Sequence, residues 1–175
     1  MKKQKKQILI LGAVLILLLA AYFILPKVVK EPEEEEEKSY AVTVLDATLA
    51  TKLAFTNDGT EFSFVKEGEN WYFETDKELS VVQSSIENMV EKAGNISSST
   101  KIDNVTDFAQ YGLDNPLHTV KLTVDGKEYV IQMGDCNDIT GEYYVRLEGE
   151  TTVYTVPATT VTPFSTSIDA LTEEE

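Results

Sequence analysis

The chain has 175 residues, a length that suits a single domain, and carries 30 acidic against 15 basic residues for a formal net charge of −15. This balance disfavours nucleic acid and anionic lipid head groups as partners, since both carry charge of the same sign. Cys136 is the only cysteine, so no intrachain disulfide forms and the fold depends on a buried core.

The N-terminus has the pattern of a membrane anchor. Four lysines lie within residues 1–7, and an uncharged run of 18 residues follows from Ile8 to Leu25. At about 1.5 Å per residue this run is roughly 27 Å long, close to the thickness of a bilayer's hydrocarbon core. We expect a cytoplasmic basic segment at 1–7, a single transmembrane helix at 8–25 and an extracytoplasmic C-terminal domain. A cleaved signal peptide is the alternative, although its apolar region is usually shorter, about 7–15 residues.

Residues 26–39 predict an acidic, disordered tether. They contain two prolines and five consecutive glutamates from Glu33. Like charges at this density repel and extend the chain, and Val28 and Val29 are too few apolar residues to fold around. Without the four N-terminal lysines the remaining chain has 11 basic and 30 acidic residues, a net charge of −19.

Residues 40–175 predict one extracytoplasmic α+β domain. Apolar alternation between turn residues indicates strands. The first four are expected at Val42–Leu45, Lys52–Thr56, Glu61–Lys66 and Asn70–Glu74. A helix is expected at about Val81–Ala93, because apolar residues there follow a 3.6-residue period, with Ser80 and Gln83 as a capping box. Its apolar stripe suits packing on the sheet, and a helix that binds a partner is the alternative.

The second half of the domain predicts four more strands. Asn95–Ile102 is polar and reads as an extended connection or weak edge strand. The strands are expected at His118–Val124, Glu128–Met133, Tyr143–Leu147 and Thr152–Val156. A short helix after Pro163 completes the prediction, which is a mainly antiparallel sheet of hairpins with one amphipathic helix packed on it.

The motif YGLDNP, Tyr111 to Pro116, predicts a structural joint. Thr106 is placed to cap a short helical turn, and Gly112 follows where positive φ is required. Pro116 prevents the helix from resuming, so the chain passes into the strand that begins near His118.

YGLDNP, the upstream GENWYF and the later IQMGDCNDITGEYYVRLEGETTVYTV resemble the domain-of-unknown-function (DUF) 4340 family over about Leu53 to Phe164. The resemblance implies a bacterial protein anchored by one N-terminal helix. Some family members are encoded beside ABC-transporter subunits. The resemblance implies no activity, cofactor or catalytic residue.

Catalytic patterns are weak. His118 is the only histidine and reads as a half-exposed strand residue, while Cys136 reads as a loop thiol. No local motif supports their pairing as base and nucleophile, and no glycine-rich phosphate loop or GxSxG elbow is present. We therefore predict no catalytic, cofactor-binding or metal-binding residues.

Two features leave ligand binding open. The loop Asp135–Glu142 has oxygen ligands suited to calcium, but Ile139 and Thr140 break the EF-hand spacing and a hairpin loop is favoured. Aromatic residues on strands suit a glycan or peptide platform where exposed and a core where buried. They are Trp71, Tyr72, Phe73, Tyr143, Tyr144 and Tyr154.

Taken together, these patterns favour a non-enzymatic, membrane-anchored interaction module, accessory to an ABC transporter or another envelope complex. The alternative is an extracytoplasmic domain that binds glycan, peptide or calcium.

Overall fold

The computed structural model describes residue 15 and residues 38–172. Apart from Leu15, the predicted cytoplasmic segment and transmembrane helix lie outside the described residues, as does the tether up to Glu37. None of the described helices is long and apolar enough to cross a membrane. A compact unit begins at Lys38.

Residues 38–172 are β-rich, as predicted. Their strands are β1 (Tyr40–Val44), β2 (Ala50–Asn57), β3 (Thr60–Glu67), β4 (Asn70–Phe73), β5 (Asn95–Ser98), β6 (Thr100–Ile102), β7 (His118–Val124), β8 (Lys127–Cys136), β9 (Glu142–Leu147) and β10 (Val153–Pro157). The α-helices are α1 (Gln83–Gly94) and α2 (Ala158–Val161), and 3-10 turns lie at Ala47–Leu49, Ala109–Tyr111, Thr162–Phe164 and Ile168–Leu171.

Eight strands form one antiparallel sheet in the order β4-β3-β2-β7-β8-β9-β10-β6. Two consecutive meanders meet where β2 pairs with β7. The predicted hairpins are confirmed, and an Asp-Gly pair forms the turn between β2 and β3: Asp58 and Gly59 have φ of 49° and 76°, which matches the twist of a tight hairpin. β1 and β5 form a separate two-stranded antiparallel sheet.

The large sheet has two chemically different faces, which β7 defines. Val120 and Leu122 are fully buried, whereas Thr119 and Lys121, which alternate with them, are only half-buried. Successive side chains of a strand point to opposite faces. We call the face with Val120 the core face and the face with Lys121 the outer face.

Helix α1 belongs to the core. Its side chains Ile86, Met89, Val90 and Ala93 recur at helical spacing and are buried in the main hydrophobic cluster. The predicted amphipathic helix packed on the sheet is thereby confirmed, although it begins at Gln83 rather than at position 81.

The predicted capping box is wrong. Val82 is the N-cap residue of α1 and makes no side-chain cap. The amide of Gln83 turns instead to the edge strand β4, where it accepts from the N–H of Trp71 at 2.7 Å and donates to the carbonyl of Trp71 at 2.9 Å. An edge strand leaves such backbone groups without a strand partner, and this side chain supplies both hydrogen bonds.

Asn95–Ile102, predicted as an extended connection or weak edge strand, forms two short strands, β5 and β6. Of these, β6 lies at an edge of the large sheet. Thr43 of β1 ties this region together, since its hydroxyl donates to the Ala93 carbonyl at 2.8 Å and accepts from the N–H of Ile96 at 2.9 Å.

The C-terminal segment packs on the core face. Its helical structure begins at Ala158, before Pro163, because the four-residue α2 precedes the proline and a 3-10 turn contains it. Phe164 is fully buried with its ring 5.9 Å from that of Phe55, and Leu171 is also buried. The predicted helix after the proline is only the 3-10 turn Ile168–Leu171.

Candidate functional site

The YGLDNP motif forms a tight turn ahead of β7. Gly112 follows the 3-10 turn Ala109–Tyr111 in the left-handed conformation, with φ of 67°. The N–H of Gly112 donates to the Ala109 carbonyl at 3.0 Å, and the N–H of Leu113 donates to the Phe108 carbonyl at 3.1 Å. Glycine adopts this conformation without a Cβ clash, so the predicted positive φ is confirmed.

The predicted Thr106 cap is wrong. The carboxylate of Asp107 accepts from the N–H of Ala109 at 3.1 Å. An Asp side chain reaches the backbone two residues further on, and the turn begins at Ala109, so Asp107 is the residue in reach.

The turn lies directly on β8, at an irregularity in the pairing of β8 with β9 between Met133 and Cys136. A Cβ at Gly134 would lie 2.2 Å from the Tyr111 carbonyl oxygen, and a Cβ at Gly112 would lie 2.4 Å from the carboxyl group of Asp135. Both glycines are therefore needed for close approach, and the motif's partner is the Gly134–Asp135 pair. Asp135, predicted to lie in a loop, is part of β8.

A second hydrophobic cluster covers one end of the outer face. Its buried members are Val105, Leu113 and Val153, and the partly buried ones are Ile102, Phe108, Tyr111 and Tyr144. The rings of Tyr111 and Tyr144 meet edge to face at 4.9 Å. Residues 102–113 thus lie over β9 and β10, on the side opposite α1.

Arg146 lies beside this cluster on β9. The register pairs it with Gln132 of β8, and its Nε donates to Gln132 Oε1 at 2.6 Å. Its guanidinium carbon is 3.7 Å from the ring centroid of Phe108, the distance of a stacked cation–π contact. Sequence reasoning missed this residue, although it is the only arginine in the chain.

The lysines of the outer face, by contrast, are paired with glutamates. Lys121 contacts Glu61 at 2.7 Å, and Lys52 contacts Glu74 at 2.7 Å. The hydrogen bond from Lys52, followed by that from Ser63, lowers the pKa of Glu74. Side-chain exposures of 37–49% keep these surface pairs weak.

His118 is a buried residue, which corrects the half-exposed prediction: only 1% of it is accessible. Nδ1 lies 3.0 Å from the Thr56 carbonyl, so this nitrogen carries the proton and donates. Nε2 then accepts from the Ser165 hydroxyl, 2.8 Å away. The ring fastens the C-terminal segment to β2, because both of its nitrogens are used within the fold.

Cys136 is exposed at the end of β8, opposite Tyr143, and its thiol lies 3.9 Å from the Asn137 carbonyl. The two nitrogens of His118 bond to other groups, so the structure does not join histidine and cysteine into a pair.

The loop Asp135–Glu142 is organised by Asn137. Its side-chain oxygen accepts from the N–H groups of Ile139 and Thr140, and its amide donates to the Tyr144 hydroxyl at 2.7 Å. Glu142 accepts from the Thr155 hydroxyl at 2.6 Å. Within residues 38–172 no group of three or more His, Cys, Asp or Glu side chains is placed to hold a metal ion.

The strand aromatics are divided between core and surface. Trp71 and Tyr154 are buried, and burial raises the pKa of Tyr154. The remaining four are half-buried: Tyr72, Phe73, Tyr143 and Tyr144.

A cleft of about 600 Å³ lies between α1 and the C-terminal segment. Its apolar floor includes Met89 and Leu171. Most of its other lining residues carry a hydroxyl or amide: Ser84, Ser85, Asn88, Thr162, Ser165 and Thr166. Such a lining offers donors and acceptors to a polar ligand.

A family model described as a domain of unknown function (DUF4340) matches residues 71–175, more than half of the chain. The chain belongs to the DUF4340 family. Neither a curated protein nor a solved structure matches it.

The DUF4340 match begins at residue 71, later than the expected start near Leu53, and therefore leaves out β1, β2 and β3. These strands are nevertheless part of the same fold, because β2 pairs with β7 inside the matched region. The YGLDNP turn, Gly134 and Arg146 all lie within the DUF4340 region.

Proposed function

We propose that this DUF4340 protein is a non-enzymatic interaction module, held outside the cell membrane by its N-terminal helix and accessory to an ABC transporter or another envelope complex. The lysines before the apolar run favour this orientation. The family resemblance, with its neighbouring ABC-transporter genes, favours this class of partner.

The observation that carries the proposal is the uncovered part of the outer face. The second cluster covers the β9–β10 end, whereas Thr119, Lys121 and Thr123 of β7 remain partly exposed. A sheet face with polar and apolar groups held by a rigid fold suits a protein partner.

Crosslinking tests the proposal. Tagged full-length protein is crosslinked in its native membrane, and captured proteins are identified by mass spectrometry. A version truncated before Lys38 and exported in soluble form is the control for anchoring. We expect reproducible capture of transporter or envelope subunits by the anchored protein. An isolated monomer with no reproducible partner contradicts the proposal.

A ligand-binding domain for glycan, peptide or calcium is the second candidate, and the cleft beside α1 favours a glycan or peptide. A thermal shift with cell-wall fragments tests it. The variants Asn88→Ala, at a residue that lines the cleft, and Asn95→Ala, at an exposed residue outside it, locate the response. A separate titration with calcium addresses the Asp135–Glu142 loop.

A further inference from the structure

We propose that Arg146 is a carboxylate-binding anchor through which the outer face docks a protein partner. This inference rests on the proposed function and names the chemistry of its contact: one Asp or Glu side chain, or a C-terminal carboxylate, presented by the partner.

The first support is orientation. Stacking on Phe108 fixes the plane of the guanidinium, and the hydrogen bond from Nε to Gln132 fixes its rotation within that plane. Phe108 is itself held by the YGLDNP turn, whose Leu113 is buried. A pre-oriented arginine loses little side-chain freedom when it binds.

The second support is vacancy of the binding edge. Within residues 38–172 no carboxylate forms a salt bridge with Arg146, and the hydrogen bond to Gln132 uses only Nε. The described residues also contain no buried side-chain nitrogen or oxygen without a partner, so neither Nη group of the half-buried Arg146 is fully enclosed by the protein. Their parallel N–H groups match the two oxygens of a carboxylate.

The third support is that Arg146, unlike the lysines of the outer face, has no acidic partner within the described residues. The outer-face lysines Lys52 and Lys121 are already neutralised by glutamates. In a chain of net charge −15, a multiply charged phosphate is repelled more strongly than a single carboxylate.

The surroundings of Arg146 favour a protein over an enclosed small molecule. Four cavities among residues 38–172 have other linings, and none of these four includes Arg146, Phe108 or Gln132. Arginine beside an aromatic ring, on a rigid open surface, is a common centre of binding energy in protein interfaces.

A titration of the full-length protein in zwitterionic nanodiscs tests the site directly. As the chain has one arginine, the Nε–Hε resonance belongs to Arg146 alone. The probes are acetyl-Asp-amide and the matched acetyl-Asn-amide. We expect a saturable shift with the aspartate probe over roughly 1–50 mM and none with the asparagine probe. Equal shifts with both probes, no shift, or the same shift with chloride at equal ionic strength overturns the inference.

Variants carry the test to the partner. Arg146→Lys keeps the charge but removes the paired Nη donors and the planar group that stacks on Phe108. Capture of the partner by crosslinking should therefore fall roughly tenfold to hundredfold. Lys92→Gln is the control, as it removes one exposed charge from α1, on the opposite side of the sheet, and should leave capture within about twofold.

The two proposals fail separately. Equal capture of the partner by Arg146→Lys and wild type overturns the proposed role of Arg146, while the proposal of an interaction module stands. If wild type captures no partner, the proposed function fails, and the resonance titration still decides whether Arg146 binds a carboxylate.

Discussion

Gly134→Ala should detach the YGLDNP turn from the sheet. The added Cβ would lie 2.2 Å from the Tyr111 carbonyl oxygen and 3.1 Å from Leu113 Cδ2. The first distance is about 1 Å shorter than ordinary carbon–oxygen contacts of about 3.3 Å. The obstacle is backbone, so no side-chain rotation relieves it and either β8 or the turn must move.

The cost follows from what the turn buries. Overpacking alone costs about 1–3 kcal/mol. If the turn lifts instead, the overpacking is relieved, but burial of Leu113 worth about 1.5–3 kcal/mol and the contact between Tyr111 and Tyr144 worth about 0.5–1.5 kcal/mol are lost. We expect a loss of about 2–4 kcal/mol from a free energy of unfolding of about 5–15 kcal/mol.

Urea unfolding of the fragment from Lys38 to the C-terminus, followed by the fluorescence of Trp71, measures this loss. Gly94→Ala is the matched control, since its Cβ would meet no atom closer than 3.5 Å. Alanine also favours a helix over glycine by about 0.5–1 kcal/mol, so the control should be neutral or stabilising. A Gly134→Ala protein within about 0.5 kcal/mol of wild type refutes the close approach.

Three further changes test other contacts of the fold by urea unfolding. Gln83→Leu leaves two edge groups of Trp71 without protein partners and should cost about 1–3 kcal/mol; a loss below 0.5 kcal/mol would mean that water replaces the amide. Ser165→Ala leaves Nε2 of His118 without its donor and should cost about 1–2 kcal/mol, and an unchanged urea midpoint argues against this contact. Hydrogen bonds from lysine and serine lower the pKa of Glu74, so its stabilisation exists above the unfolded pKa of about 4.3 and is lost as the pH falls through the folded value. Glu74→Gln should therefore lower stability at pH 7, by no more than about 0.5 kcal/mol given its exposure, and the difference should shrink at pH 2; a constant difference contradicts the assignment.

Local patterns predicted most of the fold. The Asp-Gly pairs fixed the hairpins, because the required φ values are positive at both turn positions. The period of α1 and the left-handed Gly112 are likewise local properties of the chain.

The remaining features depend on distant contacts. Gln83 looks like a capping residue, yet an unpaired strand edge 12 positions earlier takes its side chain. His118 reads as half-exposed until the C-terminal segment covers it and Ser165 reaches its ring. Arg146 stacks on Phe108, which lies 38 positions earlier in the chain. The local sequence around either residue therefore does not predict the contact.

Crosslinking of the tagged full-length protein in its native membrane tests the central claim most directly. An interaction module that binds its partner through Arg146 predicts repeated capture of the same transporter or envelope subunit. Capture should fall strongly in Arg146→Lys and be kept in Lys92→Gln. Wild-type protein that stays an isolated monomer in gently solubilised membranes, with no reproducible partner, would contradict it.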